Sequence, residues 1–108
     1  MANNKPFLQT LISVDFVVHG RVQGVFFRKF TAEKALALDL VGNVRNVRSS
    51  HSVAGVVQGA RGNVNQMKTW LETTGSPSSR VEWVAWGEER VLEKVEFDGF
   101  HILPTTDH

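Results

Sequence analysis

Between Leu11 and Leu38 the hydrophobic period changes from two residues to about 3.6, and the change takes place across a stretch punctuated by glycine. From Leu11 to Val18, the apolar residues Ile12, Val14, Phe16 and Val18 alternate with Ser13 and Asp15, the pattern of a half-buried strand. Beyond the loop, Phe27, Phe30, Ala35 and Leu38 roughly follow helical spacing, and Ala32 to Ala37 is rich in strong helix formers. A helix is therefore expected from about Phe26 to Leu38, with Asp39 after it at a position where a left-handed residue often ends a helix. A strand with one face to bury, running straight into a helix with an apolar stripe, calls for a sheet covered by helices on that face.

The rest of the chain supplies the other elements. Val41 to Val47 and Val53 to Gln58 read as two strands joined through Arg48-Ser49-Ser50-His51, a hairpin with a loop of several residues. Asn63 can cap a second helix with Gln66 three residues on, whose apolar face is Val64, Met67, Trp70 and Leu71. Gly75 ends it, and Ser76-Pro77-Ser78-Ser79 forbids continuation. Val81 to Val91 and Val95 to Leu103 read as final strands, the second slipping phase at Asp98-Gly99. The order β-α-β-β-α-β, with an additional short C-terminal strand, predicts an α+β, ferredoxin-like sandwich: an antiparallel sheet with two helices on one face. At 108 residues the chain is sized for one domain, expected over 10–103, with a flexible tail at 1–9 and a frayed one at 104–108.

Composition excludes several function classes. Twelve Lys and Arg against eleven Asp and Glu leave a net charge of +1, so nothing global argues for nucleic acid or anionic membrane as a partner. There is no Cys, which removes disulfides, thiolate metal sites and cysteine catalysis and fits the cytoplasm. No apolar run approaches the ~18 residues of a membrane span, and no secretory signal is evident. The four histidines (19, 51, 101 and 108) lack close metal-ligand spacing, so no metal and no cofactor are expected.

Local chemistry concentrates at the strand–helix junction. Gly20 and Gly24 can take φ > 0, and the first N–H groups of a helix lack internal partners, so the loop suits a phosphate. Arg28 lies in the first helical turn, where a cation faces the positive end of the macrodipole, a penalty that a bound anion would reverse. Its guanidinium could grip two phosphate oxygens, or it could be a surface or salt-bridge residue beside glycines that merely shape a turn. Asn46, closing the second strand, carries the donor and acceptor needed to orient a water, but Asn at a strand end is also common turn chemistry. Ser49, Ser50 and His51 lack the geometry of a nucleophile and base, and Trp70, Trp83, Trp86, Phe97 and Phe100 read as core.

The residues Gly20-Arg21-Val22-Gln23-Gly24-Val25-Phe26-Phe27-Arg28, then Thr31, Ala35, Leu38 and Gly42-x-Val44-x-Asn46, resemble the acylphosphatase family. The resemblance continues through Val57-Gln58-Gly59, Trp70-Leu71, Gly75-Ser76-Pro77-Ser78-Ser79-Arg80-Val81 and Phe97-x-x-Phe100-x-Ile102, covering roughly residues 10 to 103. It implies a small cytoplasmic hydrolase that cleaves the carboxyl–phosphate bond of acylphosphates to a carboxylate and inorganic phosphate. It also implies that Arg28 and the loop amides of Gly20, Arg21, Val22, Gln23, Gly24, Val25 and Phe26 bind the phosphoryl group, while Asn46 orients the attacking water. Asn43, Val47 and Asp39 depart from the family pattern, where Trp, Thr and Gly are usual. Such chemistry suits a sparse site: a carboxylate leaves readily, and phosphoryl transfer depends mainly on positioning and charge stabilisation.

Three other readings compete. A catalytically weakened relative would bind phosphate and act through a protein partner. An RNA-recognition module of the same topology would need aromatic residues on the central strands, and Val53 to Gln58 has none. A soft-metal carrier would need thiolates. A monomer without nucleic-acid or membrane partners is the simplest expectation.

Overall fold

The computed structural model describes residues 7–108. The alternation in the first strand is realised as β1 (Leu11–Arg21), in which Ile12, Val14, Phe16 and Val18 are buried. It leads into α1 (Phe27–Ala37), which buries Phe27, Thr31 and Ala35, and the chain turns at Asp39 with φ 57°. Then come β2 (Val41–Val47), β3 (Ser52–Ala60), α2 (Arg61–Thr73), β4 (Arg80–Trp86), β5 (Arg90–Leu92) and β6 (Phe100–Ile102). The sheet order is β4-β1-β3-β2-β6, with β5 also paired to β1. Alternate residues of β1, β2 and β3 form one core with Phe27 and Ala35 of α1 and Val64, Met67 and Leu71 of α2. The two helices thus cover one sheet face, as the ferredoxin-like reading requires. None of the described helices is long and apolar enough to cross a membrane.

The structure departs from the sequence expectations in ways that follow from long-range pairing. The sheet is mixed: β6 runs parallel to β2, with Gly42, Asn43 and Val44 opposite Phe100, His101 and Ile102. After β5, which is antiparallel to β1, the chain crosses to the far edge of the sheet and reverses direction, so it arrives pointing the same way as β2. Neither of the two long final strands is continuous. β4 pairs with β1 from Trp86 to Arg80, whereas pairing resumes only at Arg90, beyond Gly87. The segment Val95–Gly99 is no strand at all, because buried Gln58 takes the backbone N–H of Glu96 (2.7 Å) and donates to its carboxylate (2.8 Å), and Gly99 turns with φ 82°.

Helix α2 starts two residues before the expected Asn63 cap. Ala60 is the extended residue before the helix, without side-chain capping, since β3 runs directly into α2 and the N–H of Arg61 is taken by the carbonyl of Thr10 (2.9 Å). Trp83 is not core. It is 56% exposed on the sheet face away from the helices, stacked on His19 at 4.0 Å, because it occupies the outward position of an edge strand. Phe97 is likewise exposed, on the crossover between β5 and β6.

The segment 104–108 is tied down rather than frayed. Thr106 bridges to Val47 in parallel fashion, its N–H donates to the carbonyl of Asn46 (3.0 Å), and its carbonyl accepts from the N–H of Arg48 (2.8 Å). Arg48 also pairs with Asp107. At the other end, Phe7–Gln9 form a 3-10 turn, and the remainder of the expected 1–9 tail lies outside the described residues.

Candidate active site

The path from β1 to α1 is shaped by two glycines. At Gly20, β1 changes register against β4; its φ is 131°, and a Cβ there would stand 2.2 Å from the carbonyl oxygen of Arg80. Only glycine fits that crossing of strands. Gly24 has φ 71° with open space where a side chain would project, so its demand is conformational. Phe26, immediately before α1, is also left-handed, with φ 57°. Among the described residues, no backbone N–H from Gln23 to Lys29 donates to a backbone carbonyl. The first turn of α1 contains no acidic residue, so nothing within it offsets the positive end of the helix.

Two hydrogen bonds hold this loop in place. The side-chain amide of Gln23 donates to the carbonyls of Val47 (3.1 Å) and Ser52 (2.9 Å), which fastens the loop to the β2–β3 hairpin. The hydroxyl of Ser76, buried in the turn after α2, donates to the carbonyl of Val25 (2.9 Å). The loop is thus pinned on opposite sides, leaving its N–H groups as the unpaired edge. Ser76 lies in the stretch that carries the family resemblance, but the local pattern showed only turn residues. What would have flagged it is a small hydroxyl beside a glycine that ends a helix.

A cleft of about 360 Å³ opens here, lined by Val22, Gly24, Phe26, Phe27, Arg28, Lys29, Asn46 and Ile102. It brings together Arg28 and Asn46, which are 18 positions apart in the chain. Arg28 is half-buried, and no carboxylate pairs with it among the described residues. The side-chain oxygen Oδ1 of Asn46 is buried without a hydrogen-bond partner among the described residues. Such an acceptor is uncommon, because an unsatisfied buried polar atom costs about 1–3 kcal/mol. The backbone of Asn46 is held from both sides, by Val53 of β3 and by Thr106.

The other expected phosphate-site residues divide by position. Val22, Gly24 and Phe26 line the cleft with Arg28. Gly20 and Arg21 close β1, opposite Val81 and Arg80, and Arg21 is exposed. Val25 is buried and Gln23 is engaged with the hairpin, so either could offer a ligand its backbone N–H alone. Of the departures from the family pattern, Asn43 lines a separate depression with Arg45 and Val17, on the sheet face opposite Asn46, and Val47 follows the same alternation. Asp39 takes the left-handed turn without glycine. No group of three or more His, Cys, Asp or Glu able to hold a metal occurs among the described residues.

Comparison with known proteins converges on one family. Its sequence model, described as Acylphosphatase, matches residues 14–102. The chain is 45% identical over 100 residues to acylphosphatase-2 of Xenopus tropicalis, covering 93% of this chain and 96% of that protein. It is 46% identical over 94 residues to acylphosphatase-2 of Homo sapiens, covering 87% and 94%. An acylphosphatase structure from Coxiella burnetii superposes with a TM-score of 0.75 at 31% identity, over 87% of this chain and 94% of that one. The matched span includes the glycine loop, Arg28 and Asn46, and with that agreement of sequence and fold the chain belongs to the acylphosphatase family.

Proposed function

We propose that this protein hydrolyses acylphosphates, R–CO–O–PO₃²⁻, to a carboxylate and inorganic phosphate, with Arg28 and the loop amides binding the phosphoryl group and Asn46 orienting water. The observation that carries the reading is the pairing, in one cleft, of an uncompensated arginine at a helix N-terminus with a buried acceptor oxygen that has no partner. Phosphoryl oxygens supply what the first lacks, and a water O–H supplies what the second lacks. The guanidinium and the N–H groups of the loop neutralise the equatorial oxygens. Asn46 Oδ1 accepts a hydrogen bond from a water directed at phosphorus. The P–O bond to the acyl group breaks as the water oxygen bonds to phosphorus, the electron pair leaves on the carboxylate, and the water's proton passes to a substrate oxygen. Since a carboxylate needs little help to depart, the reading includes no metal or other cofactor. It also carries the expectation of a monomer working in the cytoplasm.

The test is hydrolysis of benzoyl phosphate in EDTA by wild type, Arg28→Ala and Asn46→Ala, with inorganic phosphate titrated as an inhibitor. Turnover by wild type that collapses in both variants, with phosphate affinity lost in Arg28→Ala and kept in Asn46→Ala, supports the assigned roles. Phosphate binding without wild-type turnover would instead indicate a relative that binds but does not catalyse.

A further inference from the structure

A phosphoryl group fills only part of the cleft. Its volume of about 360 Å³ belongs to the range of small-molecule sites, and its walls away from Arg28, Lys29 and Asn46 are apolar. Two of those wall residues are placed unfavourably for the unliganded protein. Phe26 is 73% exposed and holds a left-handed conformation that glycine adopts freely and bulky residues resist. Ile102 is 48% exposed and faces the cleft from β6, opposite Val44, two residues before Asn46. Neither belongs to the core. Two exposed apolar side chains on separate elements, β6 and the loop, therefore converge beside the phosphoryl position.

We infer that Phe26 and Ile102 form an acyl subsite that favours acylphosphates with an apolar, ring-sized acyl group over short or charged ones. The inference rests on the phosphoryl assignment above. With phosphorus held by the loop and Arg28, a single bridging oxygen separates it from the acyl carbon, which keeps the acyl group inside the cleft's apolar part. An aryl ring there removes its own surface and that of both side chains from water, whereas an acetyl methyl covers little of either. Lys29, exposed on the rim, would favour the opposite choice, an acyl group bearing a second carboxylate.

The experiment measures kcat/KM for benzoyl, acetyl and succinyl phosphate with wild type, Phe26→Gly and Ile102→Ser, and with Arg28→Ala as the reference for site-dependent turnover. Glycine suits the backbone at 26 and serine is acceptable at an exposed strand position, so both variants should fold. Intrinsic reactivity cancels when the benzoyl-to-acetyl ratio is compared between proteins. Either substitution is expected to lower that ratio by about tenfold, and in Ile102→Ser the change resides in the KM for benzoyl phosphate while the inhibition constant of inorganic phosphate stays put. A ratio that survives both substitutions, or a wild-type preference for succinyl phosphate, overturns the subsite and leaves the phosphoryl site standing. Absence of Arg28-dependent turnover of all three compounds overturns both.

Discussion

Both helices carry an arginine in their first turn, facing the positive end of the helix dipole, and the protein treats the two cations differently. At α2, Arg61 forms an ion pair with Glu89, which also accepts from Lys68 at 2.9 Å, and its guanidinium lies 4.3 Å from the centre of the Phe7 ring. Its side chain is 13% exposed. At α1, Arg28 has no such carboxylate among the described residues, the loop before it presents unpaired N–H groups, and a cleft stands where the counter-charge would be. The lesson is about where compensation comes from. Arg61 is neutralised from within and holds α2 to the sheet edge, while Arg28 has no internal counter-charge among the described residues, which is what the proposed phosphoryl group would supply.

The contrast would break most visibly in kinetics. Arg28→Ala should lower kcat/KM for benzoyl phosphate by about 10³-fold or more, with the melting temperature unchanged or slightly raised because a cation leaves the first turn of α1. Arg61→Ala should leave kcat/KM near the wild-type value. Similar activity losses in the two variants would erase the distinction. Next in size is Ser76→Ala, which strips the buried carbonyl of Val25 of its hydroxyl partner. Urea denaturation should show a loss of about 1–3 kcal/mol, with weaker inhibition by phosphate because the loop loses one of its two anchors.

Smaller still is the stability effect of Arg61→Ala, about 1 kcal/mol from the partly exposed ion pair and the contact with Phe7. It should be visible as a shift in melting temperature, and Arg28→Ala provides the control. The smallest effect concerns pH. Hydrogen bonds from Arg90 and then from Gln58 hold the Glu96 carboxyl at about 2, below its ordinary value. A hydrogen bond from Lys68, joined by Arg61, likewise lowers Glu89. A carboxyl group depressed in the folded state binds its proton more readily when unfolded. Its stabilisation is therefore full above the usual carboxylate range, near 4.5, and for Glu96 is lost as the pH falls toward 2. Glu96→Gln should melt below wild type at pH 7, the two curves converging by about pH 2. A constant gap would show that the ion pairs do not act through titration.

How much could be read in advance depended on the range of the interactions. The turn at Asp39 and the ends of β2 were legible because they follow from hydrophobic period and backbone preference over a few residues. The false Asn63 cap shows the limit of that reasoning: a good capping residue lost to a long-range contact, in which the carbonyl of Thr10, just before β1, took the N–H of Arg61 and the helix started earlier. Trp83 misled for a related reason, since an alternating pattern cannot tell a face covered by helices from one left open. Of the site, the loop and Arg28 read as a candidate anion motif, yet whether Arg28 had a carboxylate partner depended on residues distant in sequence. For Asn46, spacing could not separate a turn residue from a buried acceptor.

By itself, the sequence determined the order of strands and helices, the single apolar face of β1, and a glycine loop able to offer N–H groups at the start of α1. These are consequences of side-chain period and of glycine's access to positive φ, both properties of neighbouring residues. Tertiary structure alone decided that β6 runs parallel to β2, that Thr106 grips the backbone of Asn46, and that Glu89 neutralises Arg61. It also decided that Arg28 and Asn46 share one cleft with two exposed apolar side chains. The physical reason is that strand direction, burial and charge compensation are properties of pairs brought together across the fold, and only the assembled sheet with its helices in place specifies the pairs.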